Sequence, residues 1–170
     1  GQHTAWVKWA EPTAEALRQA CLARKTRILH TEPETPSLII EAIHVSNSKF
    51  MGPIDLEFNT QYNCLIGGRG TGKSTVLEYL RWALCDQPPA FRPEEELPDF
   101  QAKRASLIKS TLHPHTVTVH FNLNGVNHEV RRKSETQEIL LKIGDAEFKP
   151  CREEDVRDLL GVQAYSQKQL

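Results

Sequence analysis

The stretch that most restricts what this chain can become is Gly67-Gly68-Arg69-Gly70-Thr71-Gly72-Lys73-Ser74-Thr75. From Gly67 to Ser74 it satisfies the pattern G-x-x-x-x-G-K-[ST]. A short apolar run, Tyr62-Asn63-Cys64-Leu65-Ile66, precedes it. Behind it, Val76, Leu77, Leu80, Ala83 and Leu84 recur at helical spacing until Asp86-Gln87-Pro88-Pro89. The spacing therefore predicts strand, glycine loop and helix in that order. Glycines at 67, 70 and 72 carry no Cβ, so the backbone can curl and aim its N–H groups inward as a nest. A helix beginning near Lys73 adds its positive end. Lys73 supplies a mobile cation for β- and γ-phosphates. Ser74 offers a hydroxyl to a Mg²⁺ bridging those oxygens, and Thr75 can donate to an α-phosphate. The blander reading, a glycine turn with a coincidental lysine, does not explain the flanking strand and helix patterns. The expected ligand is a nucleoside polyphosphate.

Composition limits the alternatives. At 170 residues the chain suits one compact domain with a short appendage. A formal net charge of −1 advertises no strong field toward nucleic acid or membrane. No apolar run approaches bilayer-spanning length, and Gly1-Gln2-His3 lacks a secretory pattern. Gly1 in place of methionine suggests a chain cut from a longer one. Cys21, Cys64, Cys85 and Cys151 have no Cys-x-x-Cys spacing, so they read as small buried or half-buried residues of a reducing cytoplasm. The dispersed histidines, among them His113, His115, His120 and His128, carry no metal-ligand spacing.

Along the chain, Thr4–Trp9 reads as a strand. A helix follows with Leu17, Ala20 and Cys21 on its inner face and Pro12 at its entry. Thr31-Glu32-Pro33-Glu34-Thr35-Pro36 reads as linker. Strand patterns then cover Leu38–Val45 and Ile54–Phe58, with Gly52-Pro53 turning between them. Residues 88–112 read as an insertion whose basic members Lys103, Arg104 and Lys109 are either a contact for nucleic acid or, as the acidic run just upstream favours, a solvated helix face. Val117–Phe121 and Val126–Lys133 form a hairpin through Asn124-Gly125. A second, small hairpin joins Ile139–Ile143 to Glu147-Phe148, and a helix over Arg152–Leu160 turns Val156, Leu159 and Leu160 inward and stops at Gly161.

These residues carry a resemblance. The strand Ile39–Val45, the segment Asn47-Ser48-Lys49-Phe50, the strand Ile54–Phe58, the loop Ile66–Thr75 and the 117–132 hairpin follow the order of the SMC, RecF and related ABC-type ATPases. The resemblance implies an α/β fold: a P-loop NTPase, ABC-type lobe I, with a mixed sheet, a P-loop helix and an antiparallel β subdomain. It places that lobe at 38–170, ending in a Q-loop at Tyr165-Ser166-Gln167. Gln167 would then contact magnesium and the attacking water, so that Lys73 and Gln167 carry the catalysis and Ser74 and Gln167 hold Mg²⁺. Lys49 falls where the family often has a basic residue near the phosphates. The family usually has Asn where this loop has Arg69, whose guanidinium has the reach to touch nucleotide or a partner head.

Trp6-Val7-Lys8, Glu11-Pro12-Thr13, Leu17-Arg18-Gln19-Ala20 and Arg27-Ile28, taken with the loop, are similar to a narrower group, the bacterial PHP–ATPase fusions (TrlF-like). That likeness implies that residues 1–30 are the tail of a PHP-like phosphoesterase domain, 31–37 a linker, and the metal ligands of that domain upstream. Such ATPases hydrolyse ATP between two heads. No apolar strand ending in Asp-Glu follows the loop here, so the second lobe is expected after residue 170, and the chain alone is expected not to turn ATP over. The implied protein is a cytoplasmic hydrolase, homodimeric through its heads, with ATP, Mg²⁺ and nucleic acid as partners and no membrane. Whether it serves repair or bacterial defence stays open. The alternative is a nucleotide-binding regulatory or assembly module with little catalysis.

Overall fold

The computed structural model describes residues 5–9, 11–34, 36–60, 62–85 and 100–161. The chain divides into two compact units, Gly1–Pro36 and Ser37–Leu170. In the first, β1 (Trp6–Val7) pairs antiparallel with β2 (Ile28–Leu29), and α1 (Ala14–Leu22) and α2 (Arg24–Arg27) lie between them in sequence. Thr13 caps α1 by accepting from the Ala16 N–H at 3.1 Å. Pro12 therefore stands one residue before the cap rather than inside the helix. Of the expected inner face only Ala20 is buried, while Leu17 and Cys21 are exposed. A ribbon of two-residue strands cannot cover a whole helical stripe.

The second unit is built on a six-stranded sheet in the order β4-β3-β5-β6-β7-β8. Its strands are β3 (Leu38–Val45), β4 (Ile54–Glu57), β5 (Thr116–Leu123), β6 (Val126–Lys133), β7 (Ile139–Ile143) and β8 (Lys149–Cys151), and every pairing among them is antiparallel. The helices are α3 (Lys73–Ala83), α4 (Phe100–Leu107), continued by a π-helical turn over Ile108–Leu112, and α5 (Glu153–Leu159). β5 alternates strictly, with Val117, Val119 and Phe121 inward. These meet Ile43 and Val45 of β3, Val130 of β6, Tyr79 and Ala83 of α3, and Leu84 at its C-cap in one core, all at 2% exposure or less. The β5–β6 hairpin turns as the sequence dictates. Asn124 and Gly125 both take positive φ, 53° and 81°, which suits a two-residue turn between right-twisted strands.

Several expectations give way. Tyr62–Ile66 is not a strand. Tyr62 and Ile66 are 85% and 93% exposed, and the segment has no ladder partner among the described residues. Apolarity alone does not make a strand; its N–H and C=O groups need a neighbour. The strand after Gly144-Asp145 is Lys149–Cys151 and not Glu147-Phe148, because the register against β7 pairs Leu141 with Lys149 and Ile139 with Cys151. Phe148 instead lies under the Arg131 guanidinium, 4.2 Å from the ring centre. Arg104 is no solvated charge: it reaches across to Glu78 of α3 at 3.0 Å with its side chain 15% exposed. Leu160, in extended conformation, ends α5, so Gly161 is not needed as a left-handed stop.

The cysteines split. Cys21 and Cys64 are exposed, Cys151 is half-buried, and Cys85 is buried. Burial pushes the Cys85 thiol up to about 11. An alkylating reagent at mildly alkaline pH should therefore modify Cys21 and Cys64 well before Cys85, as peptide mapping would read. The folded protein holds the Cys85 proton more tightly than an unfolded thiol near 9.0 does. Its contribution to stability is thus present below about pH 9 and lost as pH rises toward 11. Cys85→Ala should flatten that alkaline slope in a denaturation series.

Candidate phosphate-binding site

The loop from Gly67 folds back over the head of α3. Gly70 and Gly72 sit at φ 81° and 87°, a left-handed backbone that glycine adopts without steric cost. The Lys73 ammonium is drawn inward, donating to the Gly67 carbonyl at 2.7 Å, the Gly68 carbonyl at 2.5 Å and Thr71 Oγ1 at 3.3 Å. Thr71 Oγ1 in turn donates to the Gly68 carbonyl at 3.0 Å. The segment is a closed loop around its own cation.

Glycine at 67 and 72 is required by the protein's own packing: a Cβ on Gly67 would stand 2.8 Å from Thr71 Oγ1, and one on Gly72 would overlap the Met51 sulfur. The feature that fits the loop to a polyphosphate is the helix end. Gly72 is the N-cap of α3 and offers no side-chain acceptor, so the first-turn N–H groups are left for another partner. Ser74 is exposed in that turn and Thr75 half-buried beside it. A bound Mg²⁺ would screen the phosphate charge and polarise the transferred group, and Ser74 would be the hydroxyl to help hold it. Arg69 is exposed at the loop's tip. Gln167, and with it the expected Q-loop, lies outside the described residues. Among those described, no group of three or more His, Cys, Asp or Glu side chains converges as a metal site, and no helix is long and apolar enough to cross a membrane.

Lys49 is exposed on the turn that joins β3 to β4. That turn touches the loop through its neighbour Met51, whose side chain fills the notch left by Gly72. The turn is held from beneath. Ser48, 3% exposed, bonds the Tyr79 hydroxyl of α3 at 2.9 Å, and the Lys49 N–H donates to the Thr111 carbonyl at 2.8 Å. None of Ser48, Met51, Tyr79 or Thr111 was singled out from sequence as part of a site. Tyr79 has helical spacing to Val76 and Ala83 and so is legible as core, but not as a hydrogen-bond donor.

The far end of α3 is fixed as firmly. Arg132 donates to the Trp82 carbonyl at 2.7 Å and stacks on the Trp82 ring, while Arg157 donates to the Cys85 carbonyl at 2.9 Å. Glu153 accepts from both guanidinium groups. Cations at a helix C-terminus complement its dipole. α3 is thus held at its C-terminal end by the hairpin and α5, while its N-terminal end faces the loop.

A sheet-backed helix headed by this loop fits an α/β P-loop NTPase lobe. A family model described as an AAA domain matches residues 42–168, well over half of the chain. The chain belongs to that AAA domain family. The DNA double-strand break repair Rad50 ATPase of Archaeoglobus fulgidus is 24% identical over 103 residues, covering 61% of this chain and 10% of that protein. The DNA replication and repair protein RecF of Porphyromonas gingivalis is 38% identical over 45 residues, 26% of this chain and 12% of RecF. The chain spans about a tenth of the length of these curated relatives. A solved structure from work on ATP-driven dimerization and DNA-stimulated activation of SMC ATPases aligns with TM-score 0.49 and 16% identity, over 72% of this chain and 78% of that one.

Proposed function

We propose that this chain is the ATP-binding half of an SMC/RecF-like ATPase head, which in the longer protein hydrolyses ATP when two heads close. The observation that carries the reading is the loop itself: glycines at positive φ, an uncapped helix end and an ammonium group gathered at one point. Lys73 would exchange the Gly67 and Gly68 carbonyls for phosphate oxygens. Ser74 would hold Mg²⁺, Thr75 would meet the α-phosphate, and Lys49 would approach the phosphates from the β3–β4 turn. Gln167 keeps the role the resemblance implies, beside magnesium and water. The exposed apolar segment at 62–66 supports a second lobe packing there.

Residues 1–30 are read as the remnant of a PHP-like domain and 31–37 as linker, making the whole a cytoplasmic, nuclease-linked protein that acts on nucleic acid as a homodimer. Rad50 and RecF, named for DNA repair, support the nucleic-acid part of that reading by analogy. The test is a titration of the longer protein with ATP and with GTP, each with Mg²⁺, followed by thermal melting. Saturable stabilisation by ATP is expected, and light scattering should show nucleotide-dependent dimerisation. A melting curve unmoved by millimolar nucleotide would refute the assignment.

A further inference from the structure

We infer that the buried Tyr79 hydroxyl is a positioning group, which holds the β3–β4 turn at the height where Lys49 meets the phosphate loop. The inference rests on the nucleotide reading above and adds to it a part of the site supplied by the helix's buried side.

Tyr79 is fully buried, and its phenol oxygen lies between two hydroxyls from remote parts of the chain. Ser48 Oγ is 2.9 Å away on the β3–β4 turn, and Thr111 Oγ1 is 2.7 Å away on the π-helical turn that follows α4. Thr111 Oγ1 also donates to the Leu107 carbonyl at 2.7 Å, so the chain of hydrogen bonds has a fixed direction. With Thr111 Oγ1 donating there, it accepts from Tyr79, and Tyr79 then accepts from Ser48. Tyr79 and Thr111 each spend their one proton within this chain, while Ser48 Oγ also lies 3.4 Å from the Thr111 carbonyl and accepts from the Phe50 N–H at 3.4 Å. The Thr111 carbonyl meanwhile accepts the Lys49 N–H at 2.8 Å. A π-turn widens the helix by one residue, a geometry that recurs at functional sites.

The turn held this way has two working parts. Met51 packs into the notch left by Gly72, so the turn abuts the last loop residue before α3. Lys49 projects to solvent, and among the described residues its ammonium enters no ion pair. On a turn tied down by its own backbone N–H and abutting Gly72 through Met51, this unpaired ammonium is available to an anion arriving at the loop. The tie runs through α3, the helix whose head receives the phosphates. Helix, loop and turn therefore keep one spacing.

The experiment has two arms on the longer protein. In the first, hydrogen exchange is followed by mass spectrometry without nucleotide. Tyr79→Phe keeps the ring and removes only the hydroxyl; it should raise exchange at 47–51 by about tenfold while β5 and β6 stay unchanged, the order expected for one lost neutral hydrogen bond. Ser48→Ala, which cuts the same chain at its other end, should do likewise. Unchanged exchange in both variants overturns the inference. In the second arm, a fluorescent ATP analogue with Mg²⁺ is titrated. Tyr79→Phe should weaken binding about fivefold in the native background and not at all in a Lys49→Ala background. Equal weakening in both backgrounds overturns the action through Lys49. If native protein binds no analogue while exchange still rises at 47–51, the nucleotide reading fails and takes the role of Lys49 with it, while the tie itself stands.

Discussion

Lys73→Ala should reduce ATP turnover by the longer protein by at least about a hundredfold, with a smaller loss of stability. The side chain is the one cation at the loop that the structure gathers inward, and its three donors already engage Gly67, Gly68 and Thr71. In transfer chemistry that depends on positioning and charge, a lysine at the β- and γ-phosphates acts where negative charge shifts. Its loss cannot be repaired by backbone dipoles alone. Part of the effect is mechanical, because the ammonium also closes the loop. Lys73→Arg separates the two: it keeps the charge but replaces a compact ammonium with a planar fork, and should recover little. Steady-state phosphate release is the measurement, and turnover within twofold of native would remove Lys73 from the mechanism.

Gly72→Ala should weaken nucleotide binding by at least about tenfold. At φ 87° an L-residue is strained by roughly 1–2 kcal/mol, and about 1.4 kcal/mol is a factor of ten. The added methyl would also overlap the Met51 side chain. The loop escapes both penalties by leaving the left-handed conformation, which turns its N–H groups away from the phosphates. Met51→Ala added to Gly72→Ala should restore affinity in part, since it removes the overlap and leaves the backbone strain. An unaltered dissociation constant in the single variant would mean that the cradle does not depend on this glycine.

The loop was legible in the sequence because its information is local. Glycines, a lysine and hydroxyl residues lie within one short stretch, and the backbone they permit is the one observed at Gly70 and Gly72. Asn124-Gly125 was legible for the same reason. What the sequence hid is information held between distant positions. Tyr79 meets Ser48 and Thr111 across 31 and 32 residues. Arg131 and Arg132 look alike in sequence, yet the register of β6 sends one to Phe148 on the outer face and buries the other against Trp82. The strand after Gly144 was misplaced by two residues since register against β7, not hydropathy, sets it. Apolarity at 62–66 does not make a strand, because a strand is a property of two segments and no described segment pairs with this one.

That same segment has a consequence for handling the protein. Tyr62 and Ile66 stand almost fully in water, joined by the exposed thiol of Cys64. Exposed apolar side chains of this kind offer themselves to a neighbouring copy at high concentration. A truncated preparation should therefore show concentration-dependent sedimentation and, without reductant, disulfide-linked pairs on a gel.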